Sequence, residues 1–504
     1  MKFPGFIGPS YQLSSVKLDC QRSVNLYVEM DEQKTGEQAA IGMLKSTPGL
    51  SAPLITLATS PVRAQYLSSS GVFYVLSGNT LYMISTSYTS TIVGTVTSST
   101  GPAWMYDNGS TLFLVDGTAG WQSVLGSTSL VQNVSAGFNY FDIIPSQGAF
   151  QDEYFIFSIP GTNAFMVSDN PIVVPSAAGT ITFTGNGLTP TEPMNSAKST
   201  NPDQIVGIVS CSRNLWLLGR DTCEAWADTG ASPTMPFSLI QGSYLEIGCS
   251  AAYSIQKIHD PNYGDVVVFL GRDKSGNGIV YKLAGYSPIR VSTHAIEKAL
   301  QGYGSLSSAT SWSYQQDGHQ FYCLNCPNST TTWCLDLTTG FWHERVFLSG
   351  GIFQRHLAQC HTHFNNIHIV GDYSSGNLYQ LSNSIFSDNG NAMTRQRTYP
   401  HMPIDTSLDR VFYSSMQVDI EAGVGLDGSG QGTNPQIMMQ FSNDGGRSWS
   451  AELWQSMGEI GQLTYRAIWR RLGQARDRVF RVTVTDPVSV VMLDAELNLA
   501  KGQT

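Results

Sequence analysis

Charged residues are scarce in this sequence. Asp, Glu, Lys and Arg make up 13% of its 504 residues, about half of the roughly 25% that soluble globular proteins usually carry. The 28 basic and 38 acidic residues give a formal net charge of −10, so the chain lacks the basic excess that binds nucleic-acid phosphates. A polar surface with few charges fits a subunit that buries much of itself against partners, and it equally fits a loop-rich β protein.

Membrane and secretion signals are also missing. No run of 18 or more apolar residues is present, and a membrane-spanning helix needs about 20. Residues 1–5 do not begin a signal peptide. We therefore expect a soluble product of the cytoplasm with no membrane partner. The eight cysteines are few for this length and many lie in apolar runs, so we expect most of them to be reduced and buried.

Motifs for catalysis and for cofactors are missing as well. No Gly-x-Ser-x-Gly, P-loop or Rossmann glycine set occurs where a strand leads into a helix. Cys323 and Cys326, with the later Cys334, Cys360, His361 and His363, are candidate zinc ligands, but no second Cys-x-x-Cys pair follows at finger-like spacing. Cys323 lies in an apolar strand, where it more simply fills the core. We predict no enzymatic activity, no catalytic residues, no cofactor and no metal. Sequence does not show whether carboxylates pair in space, as a glycosidase requires.

What the sequence does contain is a repeated hairpin pattern. Its clearest copy, Phe73–Ile84, is an apolar run, a Gly-Asn turn and a second run with an aromatic residue. Seven such copies start 39 to 61 residues apart, at Phe73, Leu112, Tyr154, Leu215, Val266, Gln320 and Ile367. Repeats of about 40 to 50 residues with short strands are typical of β-propeller blades. We predict an all-β fold with a propeller of six or seven blades and loop insertions; an irregular two-sheet protein is the alternative.

The pattern changes after residue 385. A turn-rich linker at 387–391 is followed by short alternating strands, which predicts a β-sandwich of about 100 residues. The resulting division is an N-terminal arm with closing strands (1–60), the propeller (61–385) and a sandwich-like domain (386–504). One short helix is expected at 295–300, with Thr293 as its cap.

Two groups of C-terminal residues are candidate functional features. Ser442, Asp444, Gly446 and Trp449 fit an Asp-box, a structural hairpin turn capped by the Asp side chain. A cluster of arginines around Trp469 is the one basic concentration in the chain, and it suggests contact with phosphate or with an acidic protein. A solvated face of the sandwich is the other interpretation. The arginines are Arg466, Arg470, Arg471, Arg476, Arg478 and Arg481.

Short segments in collinear order resemble one protein family. They include Gln21–Glu29, Ser46–Leu50, Leu215–Gly219, Ser442–Gly445, Trp469–Gly473 and Phe480–Val484. The order is similar to that of the packaged-DNA stabilisation proteins of short-tailed bacteriophages, also called tail accessory or nozzle proteins. The resemblance covers nearly the whole chain, and that family has no catalytic residues to carry over.

The resemblance implies a role in the virion tail. A homohexameric ring would lie below the portal and its adaptor ring, retain the packaged DNA and seat a tail needle or tip protein, with tail spikes or fibres as further neighbours. Assembly would take place in the cytoplasm of the host bacterium. Six copies at −10 each carry a formal charge of about −60, so DNA should pass through without tight binding. The alternative function is a receptor- or glycan-binding tail propeller, with or without glycan hydrolase activity.

Overall fold

The computed structural model describes residues 3, 5–13, 15, 19–31, 42–57, 60–135, 137–141, 144–173, 179–188, 192–274, 276–401 and 410–502. Strands dominate these residues, and they contain one α-helix, α1 (His294–Gly302). Thr293 caps this helix, because its side chain accepts a hydrogen bond from the Ile296 N–H. The predicted helix and its cap are thus confirmed.

The N-terminal part of the chain supplies strands to both domains. These strands are β1 (Tyr11–Gln12), β2 (Cys20–Val24), β3 (Leu26–Met30), β4 (Gly42–Ser46) and β5 (Gly49–Thr56).

Four antiparallel sheets of four strands follow as blades 1 to 4. Blade 1 contains β6 (Val62–Leu67), β7 (Phe73–Ser77), β8 (Thr80–Ile84) and β9 (Ser90–Thr95). Blade 2 contains β10 (Trp104–Asp107), β11 (Thr111–Val115), β12 (Gly120–Val124) and β13 (Val131–Gln132). Blade 3 contains β14 (Gly148–Gln151), β15 (Tyr154–Ser158), β16 (Ala164–Val167) and β17 (Met194–Ala197). Blade 4 contains β18 (Ile205–Cys211), β19 (Asn214–Gly219), β20 (Cys223–Asp228) and β21 (Phe237–Leu239).

Blades 5 to 7 carry additional strands. Blade 5 contains β22 (Gly248–Cys249), β23 (Gln256–Asp260), β24 (Gly264–Asp273), β25 (Gly276–Ala284) and β26 (Ser287–Arg290). Blade 6 contains β27 (Thr310–Gln316), β28 (His319–Asn325), β29 (Thr332–Asp336) and β30 (Trp342–Ser349), with β31 (Ile352–Arg355) paired to β30. Blade 7 contains β32 (Ala358–Phe364), β33 (Ile367–Asp372), β34 (Asn377–Ser382) and the N-terminal strand β5, which the hairpin β35 (Ser387–Asp388) and β36 (Asn391–Ala392) extends.

Eight strands complete the chain. They are β37 (Arg395–Thr398), β38 (Val411–Ile420), β39 (Gln436–Ser442), β40 (Leu453–Ser456), β41 (Ala467–Arg470), β42 (Gln474–Ala475), β43 (Val479–Val484) and β44 (Val491–Lys501).

The seven predicted hairpins are confirmed as the second and third strands of seven blades. These strands are apolar on both faces because each lies between two neighbouring blades. In β11, for example, Leu112 and Leu114 pack on blade 1, whereas Phe113 packs on Phe155 and Phe157 of blade 3. Side chains alternate between the two faces of a strand, so both sets of residues must be apolar here.

The N-terminal strand β5 closes the propeller ring. It pairs antiparallel with β34, with Leu50 opposite Leu381 and Ile55 opposite Leu378. Blade 7 in turn packs on blade 1, where the rings of Phe364 and Phe73 lie 5.0 Å apart. The residues that form the last blade therefore come from both ends of the propeller sequence.

The C-terminal domain is a sandwich of two sheets that share strands with the N-terminus. One sheet has the order β2–β37–β43–β39–β40 and the other β3–β4–β44–β38–β41. Their facing sides form one core, which includes Leu44, Met416, Trp469 and Phe480. Within residues 1–60, expected to be an arm with closing strands, β2 to β4 thus belong to the sandwich and β5 to blade 7.

Asn25 turns the chain from one sandwich sheet to the other and joins the sandwich to blade 6. Its φ is 51°, a left-handed conformation that Asn adopts more readily than most residues. Its side-chain amide donates to the carbonyls of Val346 (3.1 Å) and Thr394 (2.9 Å). The adjacent Val24 pairs with Glu344 of β30, so the sandwich sheet continues into blade 6.

Candidate functional site

The first strands of all seven blades line a cavity along the propeller axis. The cavity has a volume of about 760 Å³, and residues from β6, β10, β14, β18, β23, β27 and β32 form its wall. A volume of about 300–1,000 Å³ accommodates a small molecule. The axial cavity is too small for duplex DNA, whose major groove alone is about 12 Å wide.

One end of the cavity is tied together by side chains that bridge neighbouring blades. Arg63 of blade 1 is 6% exposed, and its guanidinium donates to the carbonyls of Gly78, Ser98 and Gly101. Gln147 bonds both the N–H and the carbonyl of Ile208 in blade 4, at 3.1 and 3.2 Å. These bonds link blade 1 to the segment that leads into blade 2 and link blade 3 to blade 4.

The opposite end of the cavity has an aromatic side. Tyr66, Tyr106 and Phe150 come from the first strands of blades 1, 2 and 3, with ring centroids 5.4 Å and 5.2 Å apart. The Tyr106 side is open to solvent, with 39% of the residue exposed. This row, which we call the aromatic rim (Tyr66, Tyr106, Phe150), was not predicted, because its members lie far apart in sequence.

Blades 5 to 7 place basic and imidazole groups across from the aromatic rim. The Lys257 ammonium forms an ion pair with Asp265 at 2.9 Å, and His259 Nδ1 lies 3.2 Å from the same carboxylate. Farther round, His361 Nε2 lies 2.9 Å from His368 Nδ1. Burial lowers the pKa of His361 to about 3, so its imidazole is neutral at pH 7. None of the residues that line the axial cavity is Asp or Glu, so its wall does not supply the carboxylate pair of a glycosidase.

The structure separates the predicted arginine cluster into exposed and buried members. Arg466, Arg470, Arg471 and Arg476 are exposed. The first three flank or end β41, an edge strand of the second sandwich sheet. Arg470 also lines a shallow groove of about 380 Å³ that contains Glu496. Cationic side chains on an edge strand can serve a partner, and they also prevent unwanted strand pairing.

Arg478 does not belong to that exposed surface, which corrects the expectation for this residue. It is 2% exposed, and its guanidinium donates to Asn443 Oδ1 (2.8 Å) and to the Leu472 carbonyl (2.5 Å). The same group lies over the rings of Tyr413 and Phe441 at 4.5 and 4.3 Å. Burial lowers its pKa. The charged guanidinium of Arg478 therefore interacts with groups inside the sandwich core, and the spacing of the arginines in the sequence does not predict this burial.

Arg481 also has its main partners within the chain. Its guanidinium donates to Gln440 Oε1 at 2.5 Å and lies 4.0 Å from the centre of the Trp449 ring. Burial lowers its pKa to about 10. Trp449 belongs to the Asp-box, so this contact attaches the turn to β43.

The Asp-box residues form a hydrogen-bonded turn between β39 and β40. The Asp444 carboxylate accepts from the N–H groups of Arg447 (3.0 Å) and Ser448 (2.9 Å). Ser442 Oγ accepts from the Gly446 N–H at 2.8 Å, and Gly446 has a φ of 87° that favours glycine. Hydrogen bonds from Ser442 and Ser448 hold the pKa of Asp444 well below its usual range. All these partners are local, so the carboxylate is engaged in shaping the turn.

The cysteines are free thiols, seven of them buried and Cys360 half-buried. Cys323 and Cys334 oppose each other on β28 and β29, with their sulfur atoms 2.8 Å apart. Cys326 is buried in the core between blades 5 and 6. Within the described part of the chain, the α-helical segment is too short and polar to span a bilayer.

Comparisons with known proteins identify the family. The family model described as "Bacteriophage P22 Gp10, beta-propeller" matches residues 19–386. The model described as "Bacteriophage P22 Gp10, beta-sandwich" matches residues 400–500. No curated protein sequence matches the chain.

Solved structures give only distant similarities. The Neurospora crassa Pan2 WD40 domain has a TM-score of 0.39 and 10% identity, with 64% of this chain and 89% of that chain covered. The WD40 β-propeller domain of Doa1 has a TM-score of 0.39 and 14% identity, with coverages of 66% and 96%. The extracellular domain of a putative hybrid two-component system from B. thetaiotaomicron has a TM-score of 0.41 and 9% identity, and 73% of this chain matches 43% of its length.

The two family models follow one another along the sequence and agree with the two domains of the fold. They confirm the predicted resemblance, the β-propeller and the β-sandwich. The chain therefore belongs to the bacteriophage P22 Gp10 family and is a structural protein of a phage tail.

Proposed function

We propose that copies of this chain close into a hexameric ring that forms the distal part of a short phage tail. The ring lies below the portal and its adaptor ring, retains the packaged DNA, and seats a needle or tip protein at its far end. Tail spikes or fibres are further neighbours. The ring is part of the virion and assembles in the cytoplasm of the host bacterium.

The size of the axial cavity is the observation that carries this proposal. A phage tail must conduct duplex DNA, and a cavity of about 760 Å³ inside one propeller is too small for it. In a tail protein of this fold, DNA therefore has to pass between copies, which requires several chains around a common lumen.

The distribution of charge supports a lumen that does not grip DNA. Residues 61–385 contain 12 basic and 20 acidic residues, a formal charge of −8, whereas residues 386–504 contain 11 basic and 13 acidic residues, or −2. The propellers are therefore the more acidic part of the ring. Negative potential opposes the phosphates of DNA, so a closed end, not affinity, retains the genome.

We assign the exposed arginines to contact with an acidic protein neighbour in the tail. Arg466, Arg470 and Arg471 flank an edge strand on the less acidic domain, and each copy presents acidic propeller surfaces to its neighbours. Guanidinium–carboxylate contacts are the strongest that such a surface offers.

The ring itself is tested with the purified full-length protein. Mass photometry and negative-stain electron microscopy, alone and with the portal–adaptor complex, should detect rings of six copies. The double variant Arg470→Glu, Arg471→Glu should reduce ring or complex formation, whereas Arg447→Glu, an exposed arginine outside this surface, should not. Rings unaffected by the double variant contradict the assigned contact, and a strictly monomeric protein in both conditions contradicts the ring.

A second candidate, glycan binding, is favoured by the aromatic rim. Its rings stand at an open, polar-lined cavity of a size suited to small ligands. Titration of the protein with host surface polysaccharide fragments tests it, with Tyr106→Ala as the variant. Binding that the variant abolishes would support a receptor role. No binding at millimolar concentrations of the fragments would exclude glycan binding.

A further inference from the structure

Three histidines lie on one face of the β32–β33 hairpin. His361 and His363 are two residues apart on β32, so their side chains point to the same side of the strand. His368 lies on β33 directly opposite His363. Directly opposed residues of antiparallel strands share a face, and this face turns toward blade 6, where Tyr314 lies within 6.2 Å of the His361 ring.

The distances between the rings are those of imidazoles that share a metal ion. His361 Nε2 and His368 Nδ1 are 2.9 Å apart. Metal–nitrogen bonds of about 2.0–2.1 Å at angles of 90° to 110° place two ligating nitrogens about 2.9–3.4 Å apart and their ring centroids about 4.5–5.2 Å apart. The His361–His368 centroids are 5.1 Å apart and the His363–His368 centroids 5.0 Å apart.

The two facing nitrogens form a hydrogen bond, so one of His361 Nε2 and His368 Nδ1 carries the N–H. A neutral imidazole has one N–H and two ring nitrogens. A metal ion bound between the rings takes the place of this proton, which moves to the other nitrogen of its own ring. The backbone of Ser313 also forms a hydrogen bond with the His361 ring.

The three histidines line one concave surface to which blades 5, 6 and 7 all contribute. Lys257 and His259 share the same concave surface, and the Lys257 charge is balanced by Asp265.

We propose that His361, His363 and His368 form a binding site for a divalent transition-metal ion of the zinc, copper or nickel type. In the described residues no three His, Cys, Asp or Glu side chains already surround one point. Two nitrogens face each other, and the third ligand arrives when the exposed His363 ring rotates toward them. An all-imidazole set prefers these ions over magnesium or calcium. The bound ion cross-links β32 to β33 at the mouth of the axial cavity.

The test uses full-length protein without a histidine tag, treated with EDTA and then titrated with zinc chloride in a calorimeter. We expect one zinc ion per chain, and an affinity at least tenfold weaker in His363→Ala and in His368→Gln. His294→Ala, an exposed histidine on α1, is the matched control and should bind as the unmodified protein does. Cobalt(II) should give a visible spectrum of nitrogen ligation that the two variants lose.

Two results would overturn the proposal. The first is the lack of saturable zinc binding by the unmodified protein. The second is zinc binding that His363→Ala leaves unchanged, because this would indicate adventitious ions elsewhere. His363 is exposed, so its replacement should leave the fold intact, and circular dichroism checks this even if His368→Gln fails to fold.

Discussion

Arg397 holds the N-terminal segment against the sandwich, and its replacement by methionine tests how the two ends of the chain are joined. The residue is fully buried. Its guanidinium donates to the carbonyls of Gly5, Phe6 and Pro9, each at 2.9 Å. It also donates to Ser23 Oγ at 3.0 Å and Gln21 Oε1 at 2.6 Å. Methionine fills the space of the aliphatic stem and removes all five bonds.

The expected cost follows from the groups that lose a partner. The bonds to Phe6 and Ser23 are buried and the other three are partly buried. Five acceptors at about 1–3 kcal/mol each therefore give an upper bound of about 5–15 kcal/mol. Two effects reduce this cost. Arg397→Met no longer buries a charge, which restores several kcal/mol of unfolding free energy. The N-terminal segment can also detach, so that its acceptors form hydrogen bonds with water. We expect a net loss of about 3–5 kcal/mol, the range for breaking a buried charge network.

Hydrogen exchange and urea unfolding measure this loss. The amides around Phe6 should lose protection in Arg397→Met before the propeller does, and the unfolding midpoint should fall. Arg447→Met, which replaces an exposed arginine, is the control and should stay within about 0.5 kcal/mol of the unmodified protein. Equal stability of the two variants, with the N-terminal amides still protected, would refute the role given to Arg397.

Three further changes have defined outcomes. Gly49→Ala places a Cβ 2.4 Å from the Ile385 carbonyl oxygen, so β5 must shift and the melting temperature should fall by the equivalent of about 1–3 kcal/mol; an unchanged melting temperature contradicts the closing role of β5. His319 Nδ1 lies 2.8 Å from Asp336 Oδ2; burial lowers the pKa of His319, but the bond and charge of Asp336 outweigh this and raise it above 6.5. A histidine with a raised pKa stabilises the folded state below about pH 6.5, and this stabilisation disappears as the pH rises through the folded-state pKa. In urea unfolding, the loss of unfolding free energy caused by His319→Gln should therefore shrink from about pH 6 to about pH 9. A loss that stays constant with pH would exclude the ion pair. The isolated fragment 386–504 should show no cooperative unfolding by circular dichroism, because β2 to β4 are missing from its sheets, and cooperative unfolding of the fragment would show that these strands are dispensable.

The middle strands of the blades could be predicted from the sequence because they are apolar on both faces. The first strands could not, since β6 mixes Arg63 and Gln65 with apolar residues and its polar side chains face the axial cavity. The N-terminal strands show the same limit. The strands β2 and β4 pair with β37 and β44, which lie hundreds of residues away along the chain, and the local sequence pattern does not reveal these partners.

The candidate sites divide in the same way. The Asp-box is local, so its spacing predicts its turn. Arg478 and Arg470 look equivalent in sequence, and only the packed sandwich distinguishes the buried one from the exposed one. The aromatic rim and the histidines of β32 and β33 come together through blade packing. An alternating His361-x-His363 pair on a strand was the one local signal of the latter.

The most direct test of the proposed function is a conditional deletion of the gene in the parent phage. Heads from the deletion should be examined by electron microscopy and by protection of their DNA from nuclease. We expect heads that package DNA and then lose it, with the distal tail missing. Heads that keep their DNA but fail to adsorb to the host would contradict the proposed role in DNA retention and assign the protein to host recognition.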